Sequence, residues 1–244
     1  MKKIILAVLL PFICVSGYAQ NTIFGFWGGL GASVNHSYDL STAGGFTFIK
    51  HGRSRIGIGA DLFYQSFPFK YDKEAYGLKN GTSNAGMIIQ GKPSYIFVTP
   101  KFTGKFGKGG NFEFYATAGA GFKMGGTETM RKWDRTNGVT AGDYDSTIDT
   151  SPNINSMVMR LGVGATQYIW VGKKWFFTVA EDLGFVASSL TKSSDVTNPS
   201  RTIYSPSGKL NPFFISVYIG FRHMSNVSYT PPPRNKTKLG GFSR

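Results

Sequence analysis

Along most of this chain apolar residues recur at every second position. Phe24, Phe26, Leu30, Ala32 and Val34 share one parity, while Gly25, Trp27, Gly29, Gly31, Ser33 and Asn35 hold the other. Successive side chains of a strand point to opposite faces, so this alternation predicts a strand with one apolar and one small or polar face. The same split separates Ile56, Ile58, Ala60, Leu62 and Tyr64 from Gly57, Gly59, Asp61, Phe63 and Gln65. It separates Phe112, Phe114, Ala116, Ala118, Ala120 and Phe122 from Glu113, Tyr115, Thr117, Gly119, Gly121 and Lys123. Near the C-terminus, Phe213, Ile215, Val217, Ile219 and Phe221 oppose Phe214, Ser216, Tyr218, Gly220 and Arg222. Eight such segments are predicted, at 22–35, 43–50, 54–69, 94–106, 111–125, 156–170, 175–188 and 210–222. Most reach the roughly 9–11 residues that a tilted strand needs to cross a membrane.

Connector lengths alternate. The gaps after the second, fourth and sixth segments are short, and those after the third, fifth and seventh are long: 70–93, 126–155 and 190–209. An up-and-down barrel places alternate connectors at opposite ends, and outer-membrane barrels combine short periplasmic turns with longer external loops. The face rich in glycine, serine, threonine and tyrosine also carries the ionisable residues, whereas the other face is aliphatic and aromatic. A soluble barrel needs the reverse. The expected fold is therefore all-β, an eight-stranded antiparallel up-and-down transmembrane β-barrel with short periplasmic turns and long external loops. Tyr95, Phe102, Phe106, Tyr168, Trp170, Trp175 and Phe221 are expected to form the interfacial aromatic girdles.

Composition narrows the setting. Lys2 and Lys3, the apolar run 4–15 and Gly17-Tyr18-Ala19 have the form of a cleaved signal peptide over residues 1–19. The barrel then spans 20–222, and a basic, proline-containing periplasmic tail spans 223–244. The single cysteine, Cys14, lies in the signal run, where it reads as an apolar filler, so the mature chain offers no disulfide or thiol chemistry. Twenty-seven Lys and Arg against 13 Asp and Glu give a formal charge of +14. On the barrel, Lys50, Arg53, Arg55, Lys105, Lys108, Lys173, Lys174, Arg222 and the tail cations fall at the periplasmic end. Such a rim suits phospholipid head groups or an anionic partner. Nucleic acid is not expected as a partner of an exported, membrane-embedded chain.

Three stretches carry a family resemblance: Tyr95-Ile-Phe-Val-Thr-Pro100, Phe114-Tyr-Ala-Thr-Ala-Gly-Ala-Gly-Phe122 and the closing Phe213-Phe-Ile-Ser-Val-Tyr-Ile-Gly-Phe221. With the signal sequence they resemble small outer-membrane β-barrel proteins, especially the PorT-like family of Bacteroidota. The resemblance covers nearly all of the mature chain and implies an eight-stranded barrel of a Gram-negative outer membrane, in a family with some members tied to secretion and gliding machinery. Such chains usually stop at the last strand, whereas this one runs on for about 22 residues. A second, local resemblance is His223-Met-Ser225-Asn226, similar to the His-x-Ser-Asn stretch of outer-membrane lipid A deacylases. Against a Ser/His pair there stand the lack of any acidic residue after Asp195, the periplasmic position, and a place at the head of a tail rather than within a strand pair.

The inward-facing ionisable set is Asp61, Lys101, Glu113, Lys123, Arg160, Asp182 and Arg222. An eight-stranded barrel is just wide enough for side chains to fill it. Unpaired charges there cost several kcal/mol each, so Asp61, Glu113 and Asp182 are each expected beside an arginine or lysine, forming a solid polar plug. Glu181 has the parity of the lipid face, and a β-bulge or a position above the bilayer would resolve it. Candidate external loop contacts are Arg131, Lys132, Trp133, Asp134, Arg135 and Tyr144. Candidate tail contacts are Pro231, Pro232, Pro233, Arg234, Lys236 and Lys238. No phosphate loop, zinc motif or cysteine cluster is present, so neither cofactor nor metal is expected. The expected function is a non-enzymatic structural or interaction subunit of an envelope assembly, contacting outer-membrane lipid, lipopolysaccharide and an envelope protein. A narrow or gated pore and a lipid A deacylase-like enzyme are the alternatives.

Overall fold

The computed structural model describes residues 21–34, 38–51, 55–76, 83–106, 111–134, 146–172, 174–191, 196–198, 201–203 and 212–225. In chain order the strands are β1 (Asn21–Ser33), β2 (Ser41–His51), β3 (Ile56–Ser66), β4 (Phe69–Tyr76), β5 (Ser83–Gly91), β6 (Ser94–Phe106), β7 (Phe112–Gly125), β8 (Glu128–Asp134), β9 (Ser146–Asp149), β10 (Met157–Trp170), β11 (Trp175–Val186), β12 (Val196–Asn198), β13 (Arg201–Ile203) and β14 (Phe213–Met224). Eight of them close into a barrel in the order β1-β14-β11-β10-β7-β6-β3-β2, with antiparallel neighbours throughout. Every end of a predicted segment falls within three residues of a barrel-strand end. The last strand runs two residues beyond the predicted 222, so His223 belongs to it, opposite Phe24 and Trp175.

Alternation sets which way each side chain points. The outer wall exposes Phe24, Phe26, Phe46, Ile56, Phe102, Phe114, Leu161, Ile215 and Ile219, with Phe46 65% and Ile56 64% exposed. Inward residues of the same strands, such as Thr99 and Glu113, are fully buried. This is an inside-out protein, and a wall of exposed aliphatic and aromatic residues is stable only against lipid. Pro100 is accommodated within a paired strand. It lies opposite Ala60 on β3, while the pairing of β6 with β7 skips from Val98↔Ala120 to Lys101↔Thr117, where a proline has no N–H to contribute.

The start of β1, the end of β14 and the short connections share one end of the barrel, the periplasmic end by the usual rule for such proteins. At the other end the described parts of the long connectors form further strands. Two of them supply β4, β5, β8 and β9, a four-stranded sheet in that order, and a third forms the β12–β13 hairpin. Gly126, with φ of 122°, makes the turn from β7 into β8, a backbone conformation that disfavours any side chain. Ile89 and Met130 of this sheet are buried and join the core at the barrel mouth.

Candidate functional site

The lumen is filled in layers. Nearest the external mouth lies an apolar core of Tyr38, Phe63, Phe67, Phe69, Tyr95, Phe97 and Phe214, joined by Ile154, Val158, Val186 and Leu190. Phe63 and Phe97 stack with centroids 5.1 Å apart, Phe67 meets Phe214 at 5.2 Å, and Trp27 meets Phe63 at 5.2 Å. The Tyr95 hydroxyl donates to the carbonyls of Asn155 (3.0 Å) and Leu190 (3.4 Å), tying the loops down onto the mouth. The expectation of a solid polar plug is thus corrected in this half, where aromatic rings occupy the interior. Tyr95 and Tyr168 belong inside, not in the girdle, being 0% and 4% exposed. Tyr95 has the parity of Phe97 and Thr99, all buried, and opposite parity to the exposed Phe102.

Below this core sit two ion pairs. Lys101 Nζ is 3.1 Å from Asp61 Oδ2, and Arg160 pairs with Asp182. The Tyr115 hydroxyl donates to Asp182 Oδ1 at 3.4 Å, and the Lys101 ammonium stands 4.0 Å from the centre of the Tyr115 ring. The Arg160 guanidinium lies 5.3 Å from the Phe63 ring, joining this layer to the apolar core. Its place depends on the cross-strand glycines Gly162 and Gly184, since a Cβ on Gly184 would come 2.6 Å from Arg160 Nη2. A cavity of about 20 Å3 remains among Trp27, Asp61, Tyr115, Asp182, Tyr218 and Arg222. That is room for a water molecule rather than a ligand, and Asp61 Oδ1 and Arg222 Nε, both buried without a protein hydrogen bond, are natural partners for one.

The periplasmic layer is a network around Glu113. Arg222 Nη1 donates to Glu113 Oε1 at 3.1 Å and to the Tyr168 hydroxyl at 2.6 Å, and that hydroxyl donates to Glu113 Oε2 at 2.9 Å. His51 Nε2 is 3.4 Å from the same carboxylate. Ile23, Ile49, Phe176 and Met224 pack around Tyr168 and close this end. Arg222 is therefore an interior group and not part of the basic rim. Lys105 also leans inward, with its Nζ 3.6 Å from Met224 Sδ, while Arg55 and Lys174 remain exposed at this end.

Of the predicted lumen set, Lys123 stands apart at the external rim, donating to the Ser151 carbonyl at 3.0 Å. His51, Tyr115 and Tyr168 complete the networks and were missed by a search for charges alone. Glu181 is exposed on the outer wall, level with Ala165 and Val217 near the middle of β11. The register there is continuous, so of the two alternatives the bulge does not occur, and regular pleating itself turns this carboxylate outward.

The surface candidates fall partly outside the described residues. Arg131 is exposed on β8, and Lys132, Trp133 and Asp134 continue that strand. Arg135 and Tyr144, the signal segment 1–19, and Pro231, Pro232, Pro233, Arg234, Lys236 and Lys238 lie outside. At the end of β9 the Asp149 carboxyl accepts from the Ser151 hydroxyl (2.5 Å) and amide (2.9 Å), which hold its pKa below the ordinary aspartate value. Among the described residues no cluster of His, Cys, Asp and Glu is spaced to hold a metal. Ser225 Oγ is engaged by β1 rather than by His223: it accepts from the Thr22 amide (3.0 Å) and donates to the Thr22 carbonyl (3.2 Å). The His223 ring instead packs between Phe24 and Trp175, with centroids at 4.9 and 5.0 Å.

Closed strand order, outward apolar belt and filled interior together define a small β-barrel of the outer-membrane type, resident in that membrane. No protein-family model and no curated protein sequence matches the chain. Solved structures similar to it include Neisserial surface protein A, with a TM-score of 0.40 and 9% identity over 85% of this chain and 99% of that one. The attachment invasion locus protein Ail of Yersinia pestis follows at 0.37 and 9%, over 84% and 96% of the two chains. The outer membrane protein OprG of Pseudomonas aeruginosa gives 0.32 and 14%, over 86% and 98%. Likeness at this distance carries no argument about function, and the class rests on the barrel's own order and exposure.

Proposed function

We propose that this chain is a non-enzymatic interaction subunit of an outer-membrane assembly, an occluded barrel that carries contact surfaces at its two ends. The observation supporting this reading is the filled lumen. Among the described residues, an aromatic core on one side and ion-pair networks on the other surround a cavity of about 20 Å3, too small for a conduction path or a substrate pocket. What remains for function is surface. Outside, the β4-β5-β8-β9 sheet extends the protein past the barrel mouth and presents Arg131. On the periplasmic side the basic residues 234–244 follow three consecutive prolines, which favour an extended segment suited to docking on an acidic partner. The resemblance to PorT-like barrels points to secretion or surface machinery as the assembly.

The test is a mild-detergent pull-down of the full chain from native outer membranes, compared with a chain lacking residues 229–244. The proposal expects a stoichiometric envelope protein with the full chain and its loss on deletion, with the barrel still folded. Recovery of a lone barrel from both preparations overturns it.

A further inference from the structure

Among the grooves of the outer wall, one has a cation and aromatic rings at its periplasmic end. It is an open groove of about 660 Å3, lined by Phe24, Phe26, Phe46, Phe48, Leu62 and Val98. Its floor is Ala60, a small residue set between Phe48 on β2 and Pro100 on β6. Register fixes its depth in the membrane. Phe24 lies opposite Phe48 and His223, and His223 opposite Trp175, a row within four residues of the periplasmic strand ends. Leu62 and Val98, at the other end, lie just past the midpoints of their strands. The groove thus runs from the periplasmic edge to slightly beyond the bilayer centre, one leaflet deep.

Its open end is polar. Lys50 shares the outward parity of Phe46 and Phe48, and its ammonium stands 5.7 Å from the centre of the Phe48 ring that lines the groove. His223 and Trp175 flank the same edge, the height at which amphipathic rings meet head groups. An apolar slot one leaflet long, with a cation and aromatic rings at its interfacial end, matches the polarity of one lipid molecule. We infer that this groove is a specific site for an anionic glycerophospholipid of the periplasmic leaflet, with an acyl chain along Phe24, Phe46, Ala60 and Leu62 and the phosphate at Lys50. Opening toward the periplasm selects a phospholipid over lipopolysaccharide, whose head group lies at the opposite surface. A groove of similar size, about 680 Å3, lined by Phe114, Val163, Ala165, Leu183 and Val217, carries the Glu181 carboxylate and serves as the internal control.

The inference rests on the membrane assignment and not on the interaction role, so an empty pull-down leaves it standing. The experiment is native mass spectrometry of the full chain purified in detergent and supplied with phosphatidylglycerol or phosphatidylcholine. One phosphatidylglycerol is expected to be retained in preference to phosphatidylcholine. Lys50→Gln weakens that retention about fivefold, the effect of one surface lysine on anionic lipid, and leaves phosphatidylcholine unchanged. Ala60→Phe fills the slot and abolishes retention of both lipids, whereas Ala165→Phe in the control groove alters neither. All three positions face outward, and resistance to unfolding in detergent reports that each variant is folded. Equal retention of the two lipids by the unaltered chain, or retention indifferent to Lys50→Gln, overturns the inference.

Discussion

Toward the external mouth the barrel is packed like the interior of a soluble protein, and toward the periplasm it is held by charges. The upper half rests on ring contacts such as Phe63 on Phe97 and Phe67 on Phe214. The lower half rests on directional pairs, Lys101 with Asp61, Arg160 with Asp182, and Arg222 with Glu113. Both exclude a water column, but they respond differently to damage. Removing a ring costs its packing and leaves a void, while removing one member of a buried pair leaves the other charge buried without its counter-ion.

The largest effect is therefore expected at the periplasmic network. Arg222→Met leaves Glu113 buried against Tyr168 and His51 without its main cation and should lower unfolding stability in vesicles by about 3–5 kcal/mol. Adding Glu113→Gln should restore part of that loss, and a double variant no better than the single one would break the contrast between the halves. In the aromatic half, Phe97→Ala should cost about 3 kcal/mol, with no partial rescue available from any charge change.

Adjacent carboxylates sharpen the contrast further, since Asp182 points inward to Arg160 and Glu181 points outward into the lipid belt. Glu181→Leu should stabilise the barrel in vesicles by about 1–2 kcal/mol, because a carboxylate on the lipid face is destabilising, though less so than a basic residue. Stability lowered by that change would mean the carboxylate has a favourable role on the wall. The smallest effect lies outside the membrane. The lowered pKa of Asp149 means that its bonds to Ser151 are fully made above the ordinary aspartate pKa and are lost as pH falls through the lowered value. The protection of the Ser151 amide, taken relative to its intrinsic exchange rate at each pH, should accordingly fall on acidification, while the barrel strands stay protected.

The barrel itself was legible because its period-two pattern repeats in strand after strand, and because a lipid-facing wall keeps that parity poor in charge. The inward acids followed from the same parity, and each stands beside an arginine or lysine, as burial requires. The aromatic seal was not legible. In β6 and β10 rings and aliphatics occur on both faces, and composition cannot tell a girdle tyrosine from a lumen one. Tyr95 shows the signal that was available, since it shares parity with Thr99 and Lys101 rather than with Phe102. The external sheet was missed because its strands pair across connectors distant in sequence, β5 with β8, and little alternation marks them. Glu181 looked like a register fault, but continuous pairing on both sides of β11 shows a charge that the pleat turns outward.

The central claim is that the lumen is sealed, and single-channel recording of the purified full chain in a planar bilayer tests it most directly. A folded barrel with this interior should insert without discrete conductance steps above the bare-membrane current, at either polarity. Reproducible steps of one unit size, abolished by denaturation, would contradict the account and establish a conducting path through the layers around Phe97 and Glu113.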